Sequence, residues 1–241
     1  MMKYFILLSS CYALAFAELA KFLKPCSRSS SELNTCILEN LEALKPYLAQ
    51  GIPDLQIPSL NVTYIPYSFV NTSTFEFGLW NNNVTGLDNF FVQSVEADLE
   101  ENKCTILVLF PYLQGMGACG IKGKLFNMNF DSMGDIFING SNFLMNYTLH
   151  TKVIEKHGDF YMKVSSQEAH VKLTNGSFYL NIENLYLGSK KLTQMMNEIL
   201  NDNYYYLYEK ICPLLQNSIT RFIGPALDKL FERYTYDELL P

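Results

Sequence analysis

The sequence predicts an α+β fold: a strongly curved antiparallel β-sheet wrapped around a long C-terminal helix, with a short helix at the N-terminal end. Three observations carry this expectation. Apolar residues recur at helical spacing between about residues 32 and 50. They alternate at period two through the middle of the chain, to about Asn184. They return to helical spacing after Ser189. No linker, composition break or strong internal repeat divides these parts, so one domain is expected.

The first residues read as an export signal. Lys3 precedes an apolar stretch from Tyr4 to Phe16, and Ala15-Phe16-Ala17 has the small-x-small form of a cleavage site. Residues 1–17 are therefore expected to be a signal peptide and residues 18–241 the mature domain. The stretch is too short for a comfortable membrane span, so an integral membrane protein is not expected. Loss of Lys3 takes the net charge from −6 to about −7.

The N-terminal helix is predicted over about Glu32–Gln50. Leu33, Cys36, Ile37, Leu41, Leu44 and Leu48 form its stripe, and Ser29 with Glu32 has capping-box spacing. Gly51 and Pro53 stop it, and Ile52–Pro58 is expected to be extended because residues before proline leave the helical region. The strands are read from runs such as Phe75/Phe77/Leu79, Phe126/Met128/Phe130, Phe143/Met145/Tyr147/Leu149 and Phe160/Met162/Val164. Asn139-Gly140 and His157-Gly158-Asp159 are expected to be turns between them. Ser189 is the expected N-cap of the final helical run. That run covers about forty residues, or about 60 Å if straight, with kinks expected at Pro213 and Pro225. Its long apolar stripe needs cover, which the sheet can supply.

An exported chain uses cysteines in bridges. Behind the signal stand Cys26, Cys36, Cys104, Cys119 and Cys212. Cys26 and Cys36 are close enough in sequence to close a small loop. Cys104 and Cys119 flank an expected hairpin and can face each other across it. Cys212 is left over. Glycosylation sequons start at Asn61, Asn71, Asn83, Asn139, Asn146 and Asn175. Asn146 lies inside a strand pattern and is set apart from the other five.

The acidic balance argues against nucleic acid and against an anionic membrane surface as partners. Catalytic signatures are missing. Gly115-Met-Gly-Ala-Cys-Gly120 fits the spacing of a dinucleotide fingerprint, but a strand pattern follows it where a helix is needed. The glycines are read instead as a turn between strands. There is no GxSxG elbow, HExxH or CxxC, and the three histidines, His150, His157 and His170, are isolated. Glu96, Asp98, Glu100 and Glu101 read as a solvated strand end. No catalytic residue, metal or cofactor is expected. The positive signal is apolar: 17 Phe, 16 Tyr and 9 Met against one Trp. A gap lined by Met and Phe suits an adaptable apolar pocket.

Several blocks carry a family resemblance. Phe22–Cys36, followed by Leu41–Pro58 with Gly51-Ile-Pro53, resembles the start of the insect takeout/juvenile hormone-binding protein family. Asn82–Leu87 is similar to its next motif, and Phe110–Leu113 with Gly120–Gly123 fits its central hairpin. Ile182–Gly188, Met195–Asn197 and Asn201–Asn203 resemble its most distinctive block, and Tyr234–Pro241 its ending. The resemblance implies the tubular lipid-binding fold and a tunnel for a terpenoid, fatty acid or related lipid. It also implies that Cys26 and Cys36 are the family's N-terminal disulfide. A secreted, extracellular carrier follows, with a small hydrophobic ligand as its partner. The expected lining is Leu44, Phe77, Trp80, Phe126, Phe130, Tyr147, Met195, Ile199 and Phe222, with Tyr147 as the polar anchor. The rival expectation keeps the fold but closes the tunnel, leaving an extracellular signalling protein that acts through a cell-surface receptor in circadian or feeding physiology. A third, a lipid hydrolase, needs Ser, His and Asp converging in the cavity.

Overall fold

The computed structural model describes residues 23–125, 128–186 and 188–241. The expected signal peptide and Phe126 lie outside them. The architecture is α+β, as predicted. Among the described residues, helix α1 (Leu33–Gln50) precedes seven strands: β1 (Val62–Asn71), β2 (Phe75–Thr85), β3 (Phe91–Asp98), β4 (Lys103–Leu125), β5 (Met128–Lys156), β6 (Asp159–Leu173) and β7 (Phe178–Ile182). Helices α2 (Lys190–Asp202), α3 (Tyr204–Arg233) and α4 (Tyr236–Leu239) close the chain.

All seven strands join one antiparallel sheet, with β1-β2-β4-β5-β6 in sequence across it. The long hairpin β4–β5 is its axis, in unbroken register from Lys103↔His150 to Leu125↔Met128. β2 and β3 share the outer flank of β4, and β6 and β7 share that of β5. Helix α3 packs against β6, β1 and β7, while α1 lies on β3.

The expected turn at His157-Gly158 forms. Lys156 pairs with Asp159, and both intervening residues have positive φ, 57° and 92°, the backbone that a two-residue hairpin turn requires. The other two expected turns do not form. Asn139-Gly140 lies inside β5, and the Gly115–Gly120 run lies inside β4. What the sequence shows there is a change of phase. On β5 the buried residues are even-numbered from Phe130 to Gly140, then odd-numbered from Phe143 to Leu149. On β4 the change runs from Val108 and Phe110 to Cys119, Ile121 and Leu125. Asn142, at φ 56°, stands where β5 changes phase.

Cys26 and Cys36 form a disulfide. Cys104 and Cys119 do not pair. They lie on one continuous strand fifteen positions apart, about 50 Å of extended chain, and both are free thiols, as is Cys212.

Three local expectations are corrected. Helix α1 starts without a capping box: Glu32 is its N-cap, and the Ser29 hydroxyl bonds to that of Ser27 instead. Ile52–Pro58 folds into a tight loop rather than an extended segment. Ile52 and Ile57 exchange two backbone bonds of 2.8 and 3.0 Å, and Ile52 and Leu55 are buried. The C-terminal run is two helices, α2 and α3, parted at Asn203. Asn203 leaves helical geometry (φ −110°, ψ 30°), and its side-chain amide donates to the Ile199 carbonyl at 2.8 Å, closing the last turn of α2. Pro213 and Pro225 both sit within α3. Ser189 caps α2 as expected, its hydroxyl accepting from the Leu192 N–H at 3.3 Å.

Candidate functional site

A cavity of about 810 Å³ lies between α1, α3 and the half of the sheet built from β1, β3 and the matching stretches of β4 and β5. Each wall follows from a local pattern. The α1 stripe contributes Ile37, Leu41, Leu44 and Leu48. The even-phase stretch of β4 contributes Ile106, Val108 and Phe110, and the odd-phase stretch of β5 contributes Phe143, Met145, Tyr147 and Leu149. From α3 come Leu215, Ile219, Phe222 and Ile223, one helical face.

Of the nine expected lining residues, Leu44, Tyr147 and Phe222 line this cavity. Phe77 and Phe130 are buried in the hydrophobic core but stand outside the lining. Met195 is 45% exposed on α2, and Ile199 is half-buried there, neither in the lining. Trp80 faces outward. Its indole lies across Gly78 and Gly120, where a Cβ at either position would approach the ring to 2.8 Å, and Tyr67 packs against it at 6.0 Å. Sequence reasoning missed Val108, Phe110, Met145, Leu215 and Ile219. The signal existed: pairing Phe143–Leu149 with its hairpin partner brings Cys104–Phe110 to the same face.

Four polar side chains in or beside the wall, Tyr147, Ser68, Ser218 and Asn40, are engaged with the protein. The Tyr147 hydroxyl donates to Gln167 Oε1 at 2.7 Å, and Gln167 Nε2 donates to the Thr220 carbonyl of α3 at 2.9 Å. Burial first, and neighbouring Cys104 second, push the Tyr147 phenol well above its ordinary range. Ser68 of β1 and Ser218 of α3 share a hydrogen bond of 2.9 Å. Asn40 is occupied by the backbone of Lys24, accepting from its N–H at 2.8 Å and donating to its carbonyl at 2.7 Å. Cys104 borders the cavity as a thiol whose burial raises its pKa to about 11. It is therefore protonated and unreactive at neutral pH.

Acid–base chemistry has little to work with here. None of the three histidines lines the cavity. Among the described residues no group of three His, Cys, Asp or Glu side chains could hold a metal ion, and no helix is long and apolar enough to cross a membrane. A second hollow of about 720 Å³, between β7 and α2, is walled by polar groups such as Asn181, Glu183, Gln194 and Glu198 and does not suit an apolar guest.

Comparison with known proteins agrees with the sequence resemblance. A family model described as haemolymph juvenile hormone binding protein (JHBP) matches residues 5–241. The circadian clock-controlled protein daywake of Drosophila melanogaster is 22% identical over 235 residues, covering 90% of this chain and 87% of that protein. Its counterpart in Drosophila yakuba is 19% identical over 232 residues with the same coverage. The crystal structure of Epiphyas postvittana Takeout 1 matches with a TM-score of 0.79 at 15% identity, over 90% of this chain and 99% of that one, a likeness of fold. The chain therefore belongs to the haemolymph juvenile hormone binding protein family, whose members are binding proteins for hydrophobic ligands and not enzymes.

Proposed function

We propose that this protein is an extracellular carrier that holds one small apolar molecule, a terpenoid, fatty acid or related lipid, in the cavity between α1, α3 and the sheet. The observation that carries the reading is the cavity itself: about 810 Å³, within the range of about 300–1,000 Å³ usual for ligand pockets, with Leu, Ile, Val, Phe and Met forming most of its wall. A guest that hides about 400 Å² of apolar surface gains about 10 kcal/mol by leaving water. Immobilising the guest offsets part of this. A micromolar dissociation constant needs about 8 kcal/mol, so binding of this strength requires no charged anchor.

Ser68 and Gln167 stand on β1 and β6, at opposite ends of the five-strand path, yet they bond to Ser218 and Thr220 of α3. This supports a sheet that curls around the helix and leaves the cavity as a tunnel between them. An open interior also favours transport over the signalling reading with a closed tunnel. The N-terminal export pattern, the Cys26–Cys36 disulfide and the family's haemolymph description support secretion.

The test is titration of the purified protein with a fluorescent fatty-acid analogue. Wild type is expected to bind saturably, with one site. Leu44→Trp, which adds bulk to the α1 wall, is expected to weaken binding at least tenfold while the far-UV circular dichroism stays unchanged. Non-saturable partitioning that Leu44→Trp leaves unaltered would overturn the proposal.

A further inference from the structure

We propose that Asn83 carries an N-linked glycan whose first sugars lie over Tyr64 and Met116, covering an apolar row on the outer face of the sheet. The inference rests on the export reading above for its cellular setting and goes beyond it in naming the modified residue and what the sugar does.

Asn83-Val84-Thr85 is an acceptor triplet at the end of β2. The pairing registers place Tyr64 of β1 and Met116 of β4 directly opposite Asn83 on its two sides. All three point outward. Tyr64 is 56% and Met116 53% exposed, and Asn83 is exposed between them. Neighbouring strands stand about 4.8 Å apart, so a pyranose ring linked to the Asn83 amide lies within reach of both. The Tyr64 ring is held in place, its hydroxyl donating to Asn81 Oδ1 at 2.6 Å. Met116 is tethered in turn by Gln114, whose amide donates to its sulfur at 3.7 Å. A sugar ring offers C–H bonds on one face and hydroxyls on its rim. It can therefore screen an aromatic face and a thioether from water while itself staying hydrated. Large exposed apolar side chains in a row call for such a cover.

Three other triplets lack this setting. Asn139 is half-buried in β5 between Gln114 and Tyr179. Asn71 ends β1 opposite Glu76. Asn175 sits in the link between β6 and β7 at φ 51°, its carbonyl accepting from the Asn142 side chain at 3.4 Å.

The experiment expresses the full chain in insect cells and analyses protein recovered from the medium. A parallel culture expresses the chain behind a heterologous export leader, so that failure of the native leader counts against the export reading and not against the glycan. Peptide mass spectrometry after enzymatic deglycosylation in heavy-oxygen water reads occupancy at Asn83. Brief peroxide treatment reads Met116 oxidation in the intact glycoprotein, the deglycosylated protein and Asn83→Gln. The expected result is occupancy in most molecules, with Met116 oxidising severalfold faster in both sugar-free forms. An unoccupied Asn83 in exported protein, or equal oxidation of Met116 with and without the sugar, would overturn the proposal.

Discussion

Asn197 meets the backbone of Ile182 as a neighbouring strand would: its Oδ1 accepts from the Ile182 N–H at 2.9 Å, and its Nδ2 donates to the Ile182 carbonyl at 2.9 Å. One turn later Asn201 does the same for Leu180, at 2.9 and 2.8 Å. Two asparagines four apart on α2 thus supply the ladder that the outer edge of β7 lacks. An open edge is a template for pairing with other chains, and here a helix closes it with side-chain amides.

Asn197→Ala should leave the buried N–H and carbonyl of Ile182 both unpaired. The expected loss of stability is about 2–6 kcal/mol, at about 1–3 per orphaned group. Urea denaturation measures it. A loss below about 0.5 kcal/mol would mean that water or a shifted helix satisfies the strand instead.

Tyr147, Gln167 and Thr220 form a chain of bonds that ties β5 and β6 to α3 across the cavity wall. Gly224 makes room for it: a Cβ there would stand 2.3 Å from Gln167 Nε2. Gly224→Ala is expected to push Gln167 aside and cost about 1–3 kcal/mol. Tyr147→Phe should cost about 1 kcal/mol of stability and change ligand affinity by less than threefold, because the hydroxyl is already spent on Gln167. A tenfold drop in affinity for Tyr147→Phe, by fluorescence titration, would restore Tyr147 as a ligand anchor.

Cys104 offers a chemical report on the cavity. Its pKa of about 11, against an ordinary 9.0, leaves about 100-fold less thiolate at neutral pH. Iodoacetamide should therefore label it about 100-fold more slowly than an exposed cysteine, with the rate climbing tenfold per pH unit until near that pKa. Bound ligand should slow it further. Mass spectrometry of the labelled peptide reads this, and rapid labelling at neutral pH would contradict the buried setting.

Glu42 holds α1 to the sheet. Burial acts to raise its pKa, but the hydrogen bond and charge of Lys45 and the Val92 N–H, donating at 3.0 Å, outweigh this and lower it below its ordinary 4.5. A carboxyl lowered on folding adds stability that is intact above the unfolded value and disappears as pH falls through the folded one. Protection of the Val92 amide from hydrogen exchange should accordingly hold near neutrality and decline only below about pH 4.5. Glu42→Gln should flatten that decline, and identical pH profiles for the two proteins would sink the assignment.

The fold was legible where one period persists. The α1 stripe, the Ser189 cap and the His157-Gly158 turn each carry a local signal that tertiary contacts leave alone. The cavity wall was legible only in part because alternation tells which face of a strand is apolar, not which end of the sheet that face covers. Phe77 and Phe130 share the alternation of Phe143 and Tyr147 and are buried as they are, yet they stand outside the lining, while β4 and β5 change phase near Pro111 and Asn142. The same change made Asn139-Gly140 resemble a turn and Cys104 and Cys119 resemble hairpin partners. Trp80 went astray for another reason. Its inward or outward sense depends on glycines at 78 and 120, one on its own strand and one across the sheet.

Native mass spectrometry of the protein purified without detergent from its own tissue fluid measures occupancy of the interior most directly. A single mass increment per chain, released on denaturation and identified as a neutral or fatty lipid, is the expected result. Protein that flies at its bare polypeptide-plus-glycan mass, and stays so after incubation with a terpenoid or fatty-acid mixture, would contradict the carrier reading.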